Sequence, residues 1–333
     1  MASAAPLLEV RDLRVRIRTR VGMVHPLRRV SLQLATGERL GVVGESGSGK
    51  SVMCRSILRL LPADRTVTEG EVRLDGRDLV GMSERDLVQV RGRVISMILQ
   101  DPLTALNPVL SAFRQIAEPL VLHRRLSGSA LQDAVTGHLK EVGIPDPARV
   151  MRSFPHELSG GMRQRVLIAA AIASGPRLLL ADEPTTALDV TVQSQILRLI
   201  RRLSEEHDMA LVLVSHNLGV IAQTCQRIVV MYAGQVMEAG PTSEILSAPR
   251  HPYTVGLMRS VPQVDRDVPD ELPGIPGLPP DLHQPPEGCP FRFRCAFATD
   301  ACAHADVSST ATPVGPGHIT TCVRAGELGV LGR

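Results

Sequence analysis

Lysine is almost missing from this sequence. Lys50 and Lys140 are the only two in 333 residues, and the remaining cationic charge is arginine. The formal net charge is only +3, which gives no basis for a nucleic-acid patch. Long apolar runs are absent too: the longest stretch, Val166–Ala173, is far short of the roughly 18 residues needed to span a bilayer. The opening MASAAPLLEVRD has neither a basic start nor an extended apolar segment, so no signal peptide is expected. A cytosolic chain is expected, with any membrane role supplied through partners. Internal repeats and low-complexity runs are also lacking. What remains is ordinary for a globular protein, 44% apolar and 21% charged, and long enough for one large domain or two smaller ones. Six cysteines in such a chain are expected to be free thiols or metal ligands rather than disulfides.

The first 40 residues read as strands, with partial alternation over Leu7–Arg18 and again over Val30–Leu34. RLGVVG follows as a short apolar strand running into GESGSGKS, then a helical pattern through Leu61. Glu69–Leu74 and Val94–Leu99 read as strands, and about 105–173 has helical spacing, which marks a helical insertion. Strands and helices then alternate: RLLLAD, a helix over Val190–Glu206, ALVLVSH, a short helix, RIVVMY and GQVMEAG. This order predicts an α/β core on a largely parallel sheet. A break falls near Ser260. Nine of the 25 prolines lie between Pro262 and Pro290, an irregular linker. The tail beyond it holds four cysteines and three of the five phenylalanines, and it is too small to fold on a hydrophobic core alone, so a staple is expected.

Gly44-Glu45-Ser46-Gly47-Ser48-Gly49-Lys50-Ser51 fits the phosphate-loop pattern G-x-x-x-x-G-K-[ST], with a strand before it and a helix after it. Its glycines let backbone N–H groups turn toward phosphate oxygens, and the helix start adds positive potential. Lys50 can reach the β- and γ-phosphates, and the Ser51 hydroxyl can ligate Mg²⁺. A glycine-rich turn without a ligand is the alternative, and the lysine scarcity weighs against a chance match. RLLLADEP sets Asp182 and Glu183 at the end of an apolar strand. In a phosphate-loop fold the first carboxylate holds Mg²⁺ and the second can orient or deprotonate the attacking water; elsewhere such a pair is often a solvated turn. Leu158-Ser159-Gly160-Gly161-Met162-Arg163-Gln164 starts another helix with a capping hydroxyl and exposed N–H groups, a second anion site or a plain cap.

Taken in order, these segments resemble the ATP-binding cassette (ABC) family. GESGSGKS is similar to its phosphate loop, Gln100 in ILQDPLTALNP to its glutamine loop, and LSGGMRQR to its signature. LLLADEP matches the acidic strand, Ala187-Leu188-Asp189 the D-loop, and His216 in LVLVSHN the switch histidine. The resemblance covers about residues 7–260. It implies an α/β, ABC-type phosphate-loop ATPase with a β-rich N-terminal subdomain, a RecA-like parallel-sheet core and a helical subdomain at about 105–175. It further implies two cassettes packed head to tail around ATP, with Ser159, Gly160 and Gly161 acting on the partner's nucleotide. Glu183 is then the general base, His216 and Gln100 attend the γ-phosphate, and Ser51, Gln100 and Asp182 surround Mg²⁺. The family stacks adenine on an aromatic upstream of the loop, yet no Phe, Tyr or Trp precedes Phe113. His25, or an aliphatic neighbour such as Val24, is expected to take that place. Asn217 stands where many relatives have Asp, with little consequence expected.

ILQDPLTALNP, SFPHELSGGMRQR, His251-Pro252-Tyr253-Thr254 and GIPGLPPDLHQPPEGCPFRFRC resemble the oligopeptide and dipeptide importer branch, which also contains nickel importers. The resemblance implies a cassette over 1–260 and a C-terminal extension over 261–333. It implies partners as well: a second, related ATPase subunit, two membrane permease subunits and an extracytoplasmic solute-binding protein, with the chain on the cytoplasmic face of the cell membrane. Cys289, Cys295, Cys302 and Cys322 lack the C-x₂-C pairing of zinc ribbons. Four thiolates can hold zinc or an iron–sulfur cluster, or remain unligated or oxidised; the resemblance favours a [4Fe–4S] cluster. Cys54 and Cys225 lie inside apolar patterns and are expected to pack in the core. A soluble ABC ATPase of DNA repair or translation usually carries an inserted coiled coil or fused cassettes, and an exporter cassette usually carries membrane spans; the sequence has neither feature.

Overall fold

The computed structural model describes residues 5–186, 188–260, 274–307 and 311–329. Its strands, in chain order, are β1 (Leu8–Arg18), β2 (Met23–Leu34), β3 (Arg39–Val43), β4 (Thr66–Leu74), β5 (Arg77–Asp78), β6 (Ile95–Ile98), β7 (Leu178–Asp182), β8 (Ala210–Ser215), β9 (Arg227–Tyr232), β10 (Gln235–Pro241), β11 (Thr312–Gly315) and β12 (His318–Thr320). Two compact units divide the chain, one from 1–35, 40–80 and 215–333, the other from 36–39 and 81–214.

In the first unit β1 is the centre of an antiparallel sheet in the order β2-β1-β4-β5. Leu8, Val10, Leu13 and Val15 of β1 are buried, so the alternation slips by one residue between Val10 and Leu13. The cause is a bulge: Asp12 adopts a left-handed φ of 48°, and the register to both neighbours shifts there. Such an extra residue re-aims the strand while keeping each face on its own side. Gly70 of β4 permits it, because a Cβ there would lie 2.5 Å from the Asp12 carbonyl oxygen.

The second sheet of this unit runs β11-β12-β10-β9-β3. Strand β3 pairs with β9 in parallel, and β9 turns into β10 through Ala233 and Gly234, both with positive φ. That Ala-Gly pair makes a tight hairpin of the kind that matches strand twist. The helix Lys50–Ile57 follows β3; the sequence pattern extends to Leu61, but Arg59 takes a φ of 51° and the helix stops early.

The tail differs most from expectation. Rather than depending on a staple alone, it adds β12 to the edge of β10, pairing Glu238 with Thr320 and Ala239 with Ile319. It also buries Phe291 against Tyr232 and Tyr253, with ring centroids 5.4 and 5.2 Å away. Strands of three or four residues carry too little periodicity to be read from sequence.

In the second unit β8, β7 and β6 are parallel neighbours. Every residue of LLLAD and of ALVLVS is buried, the mark of strands covered on both faces. The helical insertion comprises Pro102–Ala105, Ala112–Arg124, Gly128–Glu141, Pro147–Arg152 and Gly160–Ile172. The helix Val190–Glu206 begins and ends where its period predicts. Asp189 accepts from the Val192 amide at its start, and Ile196, Leu199, Ile200 and Leu203 form its buried stripe. Cys54 and Cys225 are buried in the first unit as expected. Among the described residues no helix is long and apolar enough to cross a membrane.

Candidate functional site

The first unit holds the phosphate loop. Gly44, Ser48, Gly49 and Lys50 are buried, while Ser46 and Gly47 are exposed at the tip. Gly49 has a φ of 99°, and a Cβ there would lie 2.4 Å from the Pro26 carbonyl oxygen; only glycine fits. Lys50 Nζ donates to the carbonyls of Gly44 and Glu45, both at 2.7 Å, and to Ser48 Oγ at 3.2 Å. The ammonium is thereby held inside the loop, with Ser51 beside it in the first helical turn. The loop-plus-helix arrangement can bind a polyphosphate through N–H groups and one fixed cation.

His216, also in this unit, is exposed at the end of β8, and Asn217 caps the next helix by accepting from the Gly219 and Val220 amides. The Asn at that position therefore has a local role that Asp would share. His25 is half-buried on β2, and its backbone N–H donates to the Leu282 carbonyl at 2.9 Å. Burial lowers its pKa, followed by repulsion from Arg16 and Arg28, so the ring favours the neutral form.

The second unit places Gln100, Glu183 and the Ser-Gly-Gly start. Gln100 Nε2 donates to Glu183 Oε2 at 3.2 Å, and Thr186 Oγ1 donates to the same oxygen at 3.0 Å. Two residues 83 positions apart are thus joined. Glu183 has a left-handed φ of 46°, a strained conformation for a non-glycine residue, and its N–H donates to Val214 O. Asp182 just before it is fully buried at the end of β7. Ser159 is exposed, and its Oγ accepts from the Met162 amide at the start of the helix Gly160–Ile172. Leu188 and Val192 sit against Gly160 and Gly161. Ala187 of the D-loop lies outside the described residues.

The tail brings together what sequence spacing leaves apart. Cys289, Cys295, Cys302 and Cys322, all free, line one cavity with His251 and Phe291. The cavity itself is small, about 20 Å³. Burial pushes the Cys289 thiol up to about 12, aided by the other three thiols, and burial likewise raises Cys295 and Cys322. His251 is buried; its Nδ1 accepts from the Tyr253 amide, and its Nε2 has no hydrogen-bond partner among the described residues. Among the described residues, no three His, Cys, Asp or Glu side chains are grouped closely enough to hold a single metal ion.

Sequence reasoning missed two residues that touch the loop. Tyr253 of HPYT accepts the Glu45 N–H through its hydroxyl at 2.8 Å, and Arg294 of FRFRC forms an ion pair with the Glu45 carboxylate at 2.7 Å. Both lie in segments whose patterns stand out, but no local rule says which loop they reach.

These elements define a phosphate-loop ATPase, and comparison with known proteins narrows the class. Residues 27–186 match the ABC transporter family, and residues 237–302 match the oligopeptide/dipeptide transporter C-terminal region. The oligopeptide transport ATP-binding protein OppD of Bacillus subtilis is 47% identical over 299 residues, covering 90% of this chain and 84% of that protein. The dipeptide transport ATP-binding protein DppD of the same organism is 47% identical over 290 residues, covering 87% of this chain and 86% of the relative. Among solved structures, a dimeric ATP-binding cassette in a post-hydrolysis state with ADP and phosphate matches with a TM-score of 0.63 at 30% identity, covering 71% of this chain and 98% of its own. The chain belongs to the ABC transporter ATP-binding family, in the branch that carries the oligopeptide/dipeptide transporter C-terminal region. It is an ATPase, and ATP with Mg²⁺ is its substrate.

Proposed function

We propose that this chain is a motor subunit of a peptide importer. ATP closes two cassettes head to tail, hydrolysis reopens them, and the surface near Gln100 passes the motion to two membrane permease subunits. A related ATPase subunit supplies the second cassette, and an extracytoplasmic solute-binding protein delivers the cargo at a cell membrane whose cytoplasmic face this chain occupies. The observation that carries the reading is the match of residues 237–302, together with relatives named for oligopeptide and dipeptide transport. Nickel or another solute of the same branch is the second reading.

In this scheme Gly44 to Ser51 hold the phosphates, and Ser51, Gln100 and Asp182 surround Mg²⁺. Glu183 takes a proton from the attacking water, and Gln100 and Thr186 hold its carboxylate in place. His216 stabilises the γ-phosphate in the transition state, and Ser159, Gly160 and Gly161 act on the partner's nucleotide, a role their exposed helix start suits. His25 packs on adenine. Residues 1–260 form the cassette and 261–333 the extension.

The four tail thiols hold a [4Fe–4S] cluster in this reading. Four soft donors around one cavity fit such a group, and the partnerless buried Nε2 of His251 on the same cavity wall is a polar atom that a bound group would satisfy. The cluster would supply a structural clamp on a short tail.

The test is reconstitution of the full complex in liposomes. ATPase activity stimulated by peptide-loaded binding protein, and a loss of at least about 100-fold in turnover with ATP binding intact in Glu183→Gln, are expected. Stimulation by a nickel-loaded binding protein alone would replace the cargo, and an active Glu183→Gln complex would refute the assigned base.

A further inference from the structure

We infer that Arg294, in the C-terminal extension, is a positioning residue of the phosphate loop, and that it makes the nucleotide site competent by neutralising and fixing Glu45. All five of its N–H bonds are used. Nη1 donates to Glu45 Oε2 at 2.7 Å and to the Tyr232 hydroxyl at 3.1 Å; Nη2 donates to Glu45 Oε1 at 3.1 Å and to the Ile275 carbonyl at 3.0 Å; Nε donates to the Pro276 carbonyl at 2.8 Å. The Arg294 side chain is 6% exposed and that of Glu45 24%. A two-pronged grip of this kind fixes orientation as well as charge, and lysine cannot copy its geometry.

Glu45 is held at three points. Its carboxylate lies on Arg294, its N–H donates to the Tyr253 hydroxyl, and its carbonyl accepts from Lys50 Nζ. The residue that carries the Arg294 contact is therefore the same one that positions the loop lysine. Tyr253 and Tyr232 are buried against each other and against Phe291, three residues before Arg294, so the anchor points are rigid.

The electrostatic argument is simple. A loop that binds a triphosphate through N–H dipoles and one ammonium is poorly served by a carboxylate in its second position. Left unpaired and partly buried, that charge would repel the phosphates with little screening. Arg294 cancels it from the far end of the chain, 249 residues away. Pro279, Pro280 and Leu282 of the same extension line a small cavity with Glu45, Ser46, Gly47 and Ser48, so the extension meets the loop at a second place. Arg294 is also next to Cys295, which ties the thiol cavity to the loop by a single peptide bond. The inference rests on the reading of residues 44–51 as the ATP site.

The experiment measures MgATP affinity of the full chain by calorimetry, and kcat and KM in the assembled complex. Arg294→Gln is expected to weaken ATP binding about ten-fold, the scale of one poorly screened unit charge, and to raise KM with kcat changed less than about three-fold. Glu45→Gln in the Arg294→Gln background removes the orphaned charge and is expected to restore affinity to within about three-fold. Arg294→Lys keeps the charge but loses the two-pronged grip, and should lie between Arg294→Gln and the unaltered chain, about three-fold weaker than the latter. Wild-type affinity in Arg294→Gln, or a double variant no better than the single one, overturns the inference. Should Arg294→Gln fail to fold, a ten-fold loss in Arg294→Lys overturns it instead. Failure of the unaltered chain to bind ATP refutes the nucleotide reading itself.

Discussion

Glu238 gives the sharpest stability prediction. It lies on β10 with no exposed surface, and three donors from separate segments converge on its carboxyl group. His318 Nε2 of β12 approaches at 2.7 Å, the Arg250 amide at 2.7 Å and the His251 amide at 3.0 Å. One side chain thus joins the cassette sheet, the segment entering the helix Pro252–Arg259, and the last strand of the tail. Glu238→Ala would leave three buried donors without an acceptor. Each orphaned donor costs about 1–3 kcal/mol, and allowing for partial entry of water the total loss should be about 4 kcal/mol. That is a large fraction of the about 5–15 kcal/mol that holds an ordinary domain together. Glu238→Gln keeps one acceptor but turns an amide toward a donor, and should cost about 2 kcal/mol. Urea unfolding followed by circular dichroism measures the loss, and limited proteolysis shows whether the tail detaches first. A loss under about 1 kcal/mol in Glu238→Ala, the range of a surface substitution, would refute the latch.

Two further predictions concern the tail and the helical insertion. Anaerobically purified protein should contain about four iron and four acid-labile sulfide per chain, lost in Cys289→Ser; one zinc per chain would replace the cluster, and no metal would leave free thiols. Glu141, whose pKa burial would raise, is nonetheless lowered by hydrogen bonds from His207 and His138. Its carboxylate therefore stays charged in the folded chain below its ordinary 4.5, whereas the unfolded chain protonates first. The stability it contributes is present above that value and is lost as pH falls below it, through the lowered pKa of the folded chain. Glu141→Gln should flatten the acid side of a stability–pH curve measured by urea unfolding, and an unchanged slope would refute the assignment.

How much was legible in the sequence follows the range of each interaction. The phosphate loop could be read because its function is local: glycines free the backbone, Lys50 sits at a set distance along the chain, and the helix start is adjacent. The helix Val190–Glu206 was readable to its ends because Asp189 caps it and its apolar residues repeat every three or four positions. The buried strands β7 and β8 announced themselves as unbroken apolar runs. Helix Lys50–Ile57 was overextended, since apolar residues continue past the point where the backbone turns.

The sequence by itself therefore determined the class of chemistry, the order of the motifs and the α/β alternation, all of which depend on neighbours a few residues apart. Tertiary structure alone decided that β12 joins β10, that four widely spaced thiols share one cavity, that Gln100 meets Glu183, and that Arg294 reaches Glu45 across 249 residues. Those pairings depend on where a sheet edge or buried carboxylate is left to be satisfied once everything else has packed, and no periodicity along the chain encodes that position.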